Sequence, residues 1–273
     1  MTSPASIVFR DIRELSEFRQ VERLQKTVWG VEDLDILPAL AMKPLVEVGG
    51  ILIGAFLEDK MIGFVFGFPG RHGIQHIIHS DMLAVLPEYR SFGLGFRLKL
   101  AQRERALENG IETITWTFDP LRAVNANLNF ARLGVTASRY EIDYYGETSS
   151  VLHRLGTDRL WVTWELKSKR TIARIEADAG PTEIWFPKDA VSLVAVGEKQ
   201  QPISNDEFFS NEDALIEIPT NLDELLKQQP TLAADWRMAT RKAFTQSISA
   251  GYVVHDFLLD KQARKGAYFL TVP

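Results

Sequence analysis

The spacing of apolar and polar positions divides the first 170 residues into short strands and helices. Apolar residues at helical spacing predict a helix over 14–29, with Gly30 as its stop. Two apolar runs around a short polar turn, 51–57 and 61–68, predict a β-hairpin. The predicted order is β-α-α-β-β-β-α-β-α-β-β, with strands at 7–10, 51–57, 61–68, 76–86, 111–118, 138–145 and 160–166 and helices at 14–29, 38–48, 93–109 and 123–132.

Two stretches interrupt this pattern. Residues 69–73 are rich in Pro and Gly and predict a loop, whereas 167–183 is charged and weakly patterned and predicts a linker. We therefore expect two domains, 1–170 and a smaller α+β subdomain at 171–273. The strands predicted in this subdomain lie at 184–186, 191–196, 214–218, 252–258 and 267–272. A helical region is also predicted there; it is capped by Thr220, is interrupted at Pro230 and ends at about Ser249.

Charge and composition narrow the class of protein. The 273 residues are 45% hydrophobic and 25% charged, which is ordinary for a globular protein, and their net charge is −5. The acidic excess lies in 171–273, and a mildly acidic chain argues against a nucleic-acid partner. The absence of cysteine excludes disulfides and a cysteine nucleophile. With no long apolar run and no basic leader, we expect no membrane partner and a cytoplasmic location.

The most informative segment is the junction between the predicted strand 76–86 and the predicted helix 93–109. Pro87 ends the strand, and Arg90-x-x-Gly93-x-Gly95 opens the helix. Glycines let backbone amides approach a ligand closely, and the N-terminus of a helix attracts phosphate. A Walker loop does not fit because Phe96 follows Gly95, and a Rossmann fingerprint does not fit because Leu98 stands where a third small residue is needed.

These residues resemble the GNAT superfamily of acyl-CoA-dependent N-acyltransferases. Arg90, Gly93 and Gly95 match the family's Arg/Gln-x-x-Gly-x-Gly/Ala, and Phe130–Val135 resembles its aromatic-x-x-Leu-Gly-Phe. The order of elements agrees over about 6–168. The resemblance implies an α/β (α+β) fold with a mixed central sheet flanked by helices. It also implies acetyl-CoA or another acyl-CoA as co-substrate, without a metal.

The resemblance also implies where the co-substrate binds. The pantetheine amides should pair with the end of the strand, where neighbouring strands splay apart, and the pyrophosphate should lie on the first amides of the helix. The implied cofactor-binding residues are Leu83, Ala84, Val85, Arg90, Ser91, Phe92, Gly93, Leu94, Gly95 and Phe96.

A group near the strand 76–86 is expected to accept the proton of the attacking amine. Period-2 alternation places His79, Asp81, Leu83 and Val85 on one face. In relatives the base or its water chain occupies the positions that match His79 and Asp81. We favour His79, whose unperturbed pKa near about 6.5 suits the task, with Asp81 orienting His79, a water chain or the amine. The alternative is a structural histidine satisfied by backbone.

The usual proton donor of the family is missing. A Tyr often protonates the leaving thiolate, but the matching residue is Phe130, which has no proton to give. Tyr145, Tyr140 and Tyr144 are substitutes, and Tyr145 enters the predicted catalytic set; water is the other possibility.

The acceptor side is expected after the strand 111–118. Asp119 could bind an ammonium and Arg122 a carboxylate; the alternative is a turn with a solvated arginine. The stretch 116–135 looks like a GNAT subgroup that accompanies N-acylamino-acid racemases and is associated with N-succinylation of amino acids. Aromatic residues of the C-terminal part could line an acceptor pocket or a homodimer surface, and these are Trp185, Trp236, Phe208 and Phe209.

Three functions fit these observations. The first is an N-acyltransferase that uses acetyl- or succinyl-CoA on the amine of a small molecule such as an amino acid. The second is a non-catalytic acyl-CoA-binding module, which Phe130 supports. The third is a protein acetyltransferase whose acidic C-terminal part recruits a basic partner.

Overall fold

The computed structural model describes residues 7–177, 189–205, 213–260 and 262–273. By density of contacts the chain forms two compact units, Met1–Trp116 with Glu147–Arg154, and Thr117–Gly146 with Leu155–Pro273. These limits differ from the expected domains 1–170 and 171–273, which remain a prediction. Across the described ranges, no helix combines the length and hydropathy that crossing a membrane requires.

The first unit contains a five-stranded sheet in the order β1-β2-β3-β4-β5. The first three pairings are antiparallel, and β4 and β5 are parallel. The element bounds are β1 Ile7–Asp11, α1 Leu15–Trp29, α2 Ala39–Glu47, β2 Ile51–Leu57, β3 Lys60–His72, β4 Gln75–Val85, α3 Leu94–Glu108 and β5 Thr113–Phe118, whose last two residues belong to the second unit.

Local sequence explains these elements. The helix α1 begins at a reciprocal capping box between Glu14 and Glu17 and ends at Gly30, which is left-handed at φ 64°. Apolar runs make β2 buried up to Phe56 and β3 buried over Met61–Gly67, because helices cover the sheet there. The core of the unit therefore lies around β2, β3 and the first half of β4.

The second unit is built on a sheet in the order β7-β6-β11-β12-β10-β8-β9. Only β8 and β10 are parallel among these pairings. The bounds are α4 Ala123–Ala126, β6 Thr136–Glu141, β7 Arg159–Glu165, α5 Lys169–Glu176, β8 Val191–Val196, β9 Pro202–Ser204, β10 Ala214–Pro219, α6 Leu222–Gln228, α7 Pro230–Ser249, β11 Val253–Asp260 and β12 Lys265–Thr271; α4 continues as a π-helix over Asn127–Leu133.

An aromatic cluster fills the centre of the second unit. Tyr268 of β12 is fully buried and meets the rings of Phe130, Phe244 and Phe257 at centroid distances of 5.7, 5.1 and 4.7 Å. Its hydroxyl donates to the backbone oxygen of Pro120 at 2.6 Å. The last strand therefore supplies the centre of this core.

The mixed α/β class is confirmed, and the first-half order of elements is as predicted, but three local expectations are wrong. Residues 69–72 continue β3, because β4 pairs with them as far as the turn. The strand β6 stops at Glu141, and Asp143 follows with a left-handed φ of 47°. The predicted linker contains α5, which Ser168 caps by accepting from the Thr171 amide.

Two smaller corrections concern the C-terminal part. Helix α6 begins after Asn221 rather than at a Thr220 cap, although Pro230 does separate it from α7. Trp236 is fully buried and donates from Nε1 to the Gln200 oxygen at 2.9 Å, so it is a core residue rather than a surface one. The predicted strand 184–186, Trp185, Phe208 and Phe209 lie outside the described residues.

Candidate active site

The strand-to-helix junction has the predicted shape. After β4, residues 87–92 form a 3₁₀ turn, and α3 begins behind Gly93. Gly93 is left-handed at φ 68°, and no atom lies within 4 Å of where its Cβ would stand. The glycine is thus required by backbone conformation, and the space beside it is open. The exposed Arg90 donates from Nε to the Val85 oxygen at 3.3 Å.

The strands β4 and β5 are in register over a short length only. Their parallel partners are Ile78 with Ile114 and His79 with Thr115. On its other edge, β4 pairs with β3 along its whole length. Among the described strands, the C-terminal half of β4, which includes Leu83–Val85, is therefore in register with β3 alone. That Leu83–Val85 bind pantetheine stays a prediction.

A β-bulge interrupts β4 at Asp81. Phe66 lies opposite Met82, whereas the next residue of β3, Gly67, lies opposite Ser80. Asp81 is therefore the extra residue of the pair. Bulges of this kind redirect side chains and are frequent next to active sites.

The bulge reverses the alternation of side chains along β4. Phe66 and Phe68 are two positions apart on β3 and so point to one face. Their cross-strand partners, Met82 and His79, point to that same face. Leu83 must then point to the other one. The expectation that His79 shares a face with Leu83 is wrong, because the extra residue lies between them.

His79 is half-buried and held on two sides. Its Nδ1 lies 3.0 Å from Thr115 Oγ1, and its ring lies 5.5 Å from that of Phe68. Burial lowers the pKa of His79 to about 4, with a further contribution from the charge of Lys99. The assumption of an unperturbed pKa is wrong, and His79 is neutral and weakly basic at neutral pH.

Asp81 is shifted in the opposite direction. Its side chain is exposed, yet the surrounding protein displaces enough water to raise the pKa of the carboxyl above its ordinary value. A raised pKa makes the carboxylate a better proton acceptor. Of the two predicted bases, Asp81 therefore has the more suitable environment.

A buried lysine beside these residues escaped the sequence analysis. Lys99 of α3 is 2% exposed, donates to Ser80 Oγ at 3.0 Å and to Gln102 Oε1 at 2.9 Å, and lies 3.6 Å from the Trp116 ring centroid. Burial lowers its pKa well below the ordinary value. The available signal was its position inside the run Leu98–Ala101, which is otherwise apolar.

The structure separates the three tyrosine candidates, all of which belong to the second unit. Tyr140 donates to Asp158 Oδ2 at 2.6 Å and stacks on Phe244, and burial with this hydrogen bond raises its pKa. The hydroxyl proton of Tyr140 is therefore held in the hydrogen bond to Asp158. Tyr145 is 45% exposed, and its hydroxyl lies 3.4 Å from Thr117 Oγ1 at the end of β5.

Phe130 is fully buried between Phe118 and Tyr268, at centroid distances of 6.2 and 5.7 Å. Its ring is part of the aromatic core of the second unit. The exchange of Tyr for Phe at this position is thus accommodated by packing.

The predicted acceptor residues take part in ion pairs. Asp119 accepts from Arg237 Nη2 at 2.7 Å and from the Leu121 amide at 3.0 Å. Arg122 is bonded to Asp223, and its side chain is only 17% exposed. The alternative of a solvated Arg122 is wrong, because Asp223 and Asp119 both lie within ion-pair distance of it.

Residues 15–134 match the model of the Acetyltransferase (GNAT) family. The matched residues make up less than half of the chain. They include the β4–α3 junction, His79, Asp81 and Phe130, whereas Tyr145 lies beyond their end. No curated protein matches the chain in sequence.

Solved structures similar to part of this chain include acetyltransferases of several kinds. The ribosomal-protein-S18-alanine N-acetyltransferase of Escherichia coli is 14% identical, with 66% of this chain and 99% of that chain covered and a TM-score of 0.47. Arabidopsis thaliana Naa50, in complex with a bisubstrate analogue, is 14% identical over 58% and 97%, with a TM-score of 0.47. An aminoglycoside acetyltransferase from an uncultured soil metagenomic sample, in complex with sisomicin, is 19% identical over 44% and 83%, with a TM-score of 0.41.

Proposed function

We propose that this protein is an N-acyltransferase that moves an acetyl or succinyl group from acyl-CoA to the amine of a small molecule such as an amino acid. The observation that carries the proposal is the junction Arg90-x-x-Gly93-x-Gly95. It lies behind a strand that separates from its neighbour, inside a domain of the acetyltransferase family.

In this proposal the amides of Ser91–Phe96 bind the pyrophosphate, because the start of α3 offers amide donors and the positive end of a helix dipole. Arg90 turns from the Val85 oxygen to the phosphates. The backbone of Leu83–Val85, on the edge away from β3, bonds the pantetheine amides. These contacts use mainly backbone, so they bind the co-substrate without fixing the acyl group.

The chemistry is acyl transfer between a thioester and an amine. The amine nitrogen attacks the thioester carbonyl carbon, the N–C bond forms and the C–S bond breaks. Asp81 takes the amine proton, since its pKa is raised and its side chain is exposed. His79, bonded to Thr115, borders the site as a neutral side chain. Tyr145 returns a proton to the CoA thiolate.

For the acceptor we propose Arg122 as the residue that binds a carboxylate. Its partner Asp223 is 72% exposed, so an incoming carboxylate can replace it at low cost. Asp119 is held by the buried Arg237, so an ammonium ligand would have to share that carboxylate. The proposed acceptor is therefore an amine that also carries an acid group.

The test is release of free CoA thiol by the full chain with acetyl- and succinyl-CoA over a panel of amines. We expect release with at least one amino acid and slower release with amines that lack a carboxylate. Binding of acyl-CoA without release for any amine would show a binding module instead. Release with basic peptides but no small amine would show a protein acetyltransferase.

A further inference from the structure

The connection between β6 and β7 is closed at its base by three hydrogen bonds of Thr157. The amide of Tyr144 donates to the Thr157 backbone oxygen at 3.1 Å, and the amide of Tyr145 donates to Thr157 Oγ1 at 3.1 Å. The same hydroxyl donates to the Gly146 oxygen at 3.3 Å. Thr157 thus fixes the backbone of the turn 143–146, which we name the tyrosine turn.

Asp143 begins the tyrosine turn in a left-handed conformation, at φ 47°. Its amide donates to Asp158 Oδ1 at 3.2 Å, and its own Oδ1 accepts from the Thr157 amide at 3.3 Å. Residues other than Gly, Asn and Asp adopt this conformation at a cost. The turn therefore depends on two aspartates, one at each side of its base.

A single arginine of α7 binds both aspartates. Arg241 holds Asp158 in a two-point contact, Nε to Oδ2 at 2.8 Å and Nη2 to Oδ1 at 2.6 Å, and reaches Asp143 Oδ2 at 3.3 Å. Asp158 is fully buried. Burial alone would raise its pKa, but bonds from Arg241 and Tyr140 outweigh this and keep the pKa below its ordinary value. Asp158 therefore stays charged and keeps its hydrogen bond to the tyrosine turn.

The preceding turn of α7 contributes the same kind of contact. Arg237, four positions before Arg241 and so on the same side of the helix, binds Asp119 at 2.7 Å and donates to the Leu155 oxygen at 3.1 Å. Helix α7 thus holds the end of β5 through one arginine and the tyrosine turn through the other.

We propose that Arg241 is a positioning residue, which holds the tyrosine turn through Asp143 and Asp158 so that the Tyr145 hydroxyl stays beside Thr117 at the end of β5. The proposal rests on the proposed function, in which Tyr145 donates the proton. It gives the C-terminal part of the chain a role in the reaction. In this proposal Tyr145 donates the proton, and Arg241 holds Tyr145 in position without reacting itself.

A double-mutant cycle tests the proposal. Arg241→Gln should lower kcat about tenfold or more, because a displacement of about 1 Å can cost about 10²-fold in rate. In the Tyr145→Phe background the same change should lower kcat less than about twofold, since the aimed group is already gone. Equal losses in both backgrounds would show a merely structural role and overturn the proposal, as would full activity of Tyr145→Phe.

The matched control is Arg174→Gln. Arg174 of α5 is also a mostly buried arginine of the second unit in an ion pair, with Asp256 at 2.5 Å, but it does not touch the tyrosine turn. Its loss should cost stability without changing kcat in the folded fraction. A similar kcat loss in this variant would mean that any broken ion pair has this effect, and the proposal would fall.

A milder variant, and hydrogen exchange as a measurement that does not require catalysis, complete the test. Asp143→Asn keeps a side chain that tolerates φ 47° but loses the charge that Arg241 binds. Hydrogen exchange of the amides of Tyr144 and Tyr145 should be at least about tenfold faster in both Asp143→Asn and Arg241→Gln, and unchanged in Arg174→Gln. Unchanged exchange in the first two variants overturns the proposal. If the parent releases no thiol, the proposed function fails, and exchange still decides whether Arg241 holds the turn.

Discussion

Two side chains of β4, two positions apart, show how one physical cause produces opposite shifts. Loss of water disfavours the charged form, which raises the pKa of the Asp81 carboxyl and lowers that of the His79 imidazole. A histidine at this position looks like the natural base when only the sequence is known. Each group differs from its ordinary strength as a base: the aspartate is stronger than usual and the histidine is weaker than usual.

Exchange of the two proposed bases should give unequal results. Asp81→Asn should lower kcat/KM by about 10²–10⁴-fold, the usual cost of removing a general base. His79→Gln should have a much smaller effect, because burial and the charge of Lys99 disfavour the protonated imidazole and lower its pKa. The measurement is kcat/KM against pH for both variants. A larger loss for His79→Gln would return the role of base to His79.

The lowered pKa of His79 also predicts a dependence of stability on pH. Between about 6.5, its value in the unfolded chain, and about 4 in the folded chain, the unfolded state binds more protons. The free energy of unfolding should therefore fall as the pH drops through this window, and the contribution should be constant below it.

Urea unfolding at pH 7 and pH 4.5 measures this dependence. His79→Gln should lose less stability between the two values than the parent does. His72→Gln, at the exposed end of β3, is the matched control and should behave like the parent. Equal losses in the parent and His79→Gln would contradict the predicted linkage.

Among the elements, α3 offers a controlled experiment at its two ends. Gly93 and Gly110 flank the helix, both are left-handed, at φ 68° and 72°, and both have open space where a Cβ would stand. Substitution at either should cost about 1 kcal/mol from backbone conformation alone. Only Gly93 lies at the proposed pyrophosphate site.

Gly93→Glu should abolish measurable binding of acyl-CoA, because it adds a negative charge where the phosphates are expected. Gly110→Glu should bind acyl-CoA like the parent, with a comparable loss of stability. Calorimetric titration with acetyl-CoA measures the difference. Tight binding by a folded Gly93→Glu would show that the co-substrate lies elsewhere.

The strands and helices were largely predictable from the sequence, whereas the β-bulge and the buried lysine inside them were not. Apolar periodicity gave α1, α3 and most strands of the first 170 residues, since each pattern is local. The bulge at Asp81 has no local signature, because one extra residue is visible only against the partner strand. The buried Lys99 reads as a solvated side chain until the helix is packed on the sheet.

Across the whole chain, the shape of the β4–α3 junction was predictable from the sequence, and the surroundings of Asp119 and Tyr145 were not. The residues of the junction are contiguous, so a short motif describes them. The environment of Asp119 depends on Arg237, which is 118 positions away. Arg241 likewise lies 98 positions from Asp143, which it bonds in the tyrosine turn. Such pairs follow from tertiary packing and leave no spacing to read in a single sequence.

The division into two units also has a practical consequence for the design of truncated variants. Residues 147–154 are counted with the first unit, although the residues on both sides of them belong to the second. Within the first unit, Ser149 bonds Asp35, and Ser150 donates to the Trp29 oxygen at 3.1 Å. Neither unit is a continuous stretch of sequence. A fragment that stops after Trp116 would leave Asp35 and the end of α1 without these hydrogen-bond partners. A fragment that starts at Thr117 would contain the eight residues 147–154 without the first-unit residues that they bond. Dissection of this protein therefore calls for circular permutation or loop replacement instead of truncation.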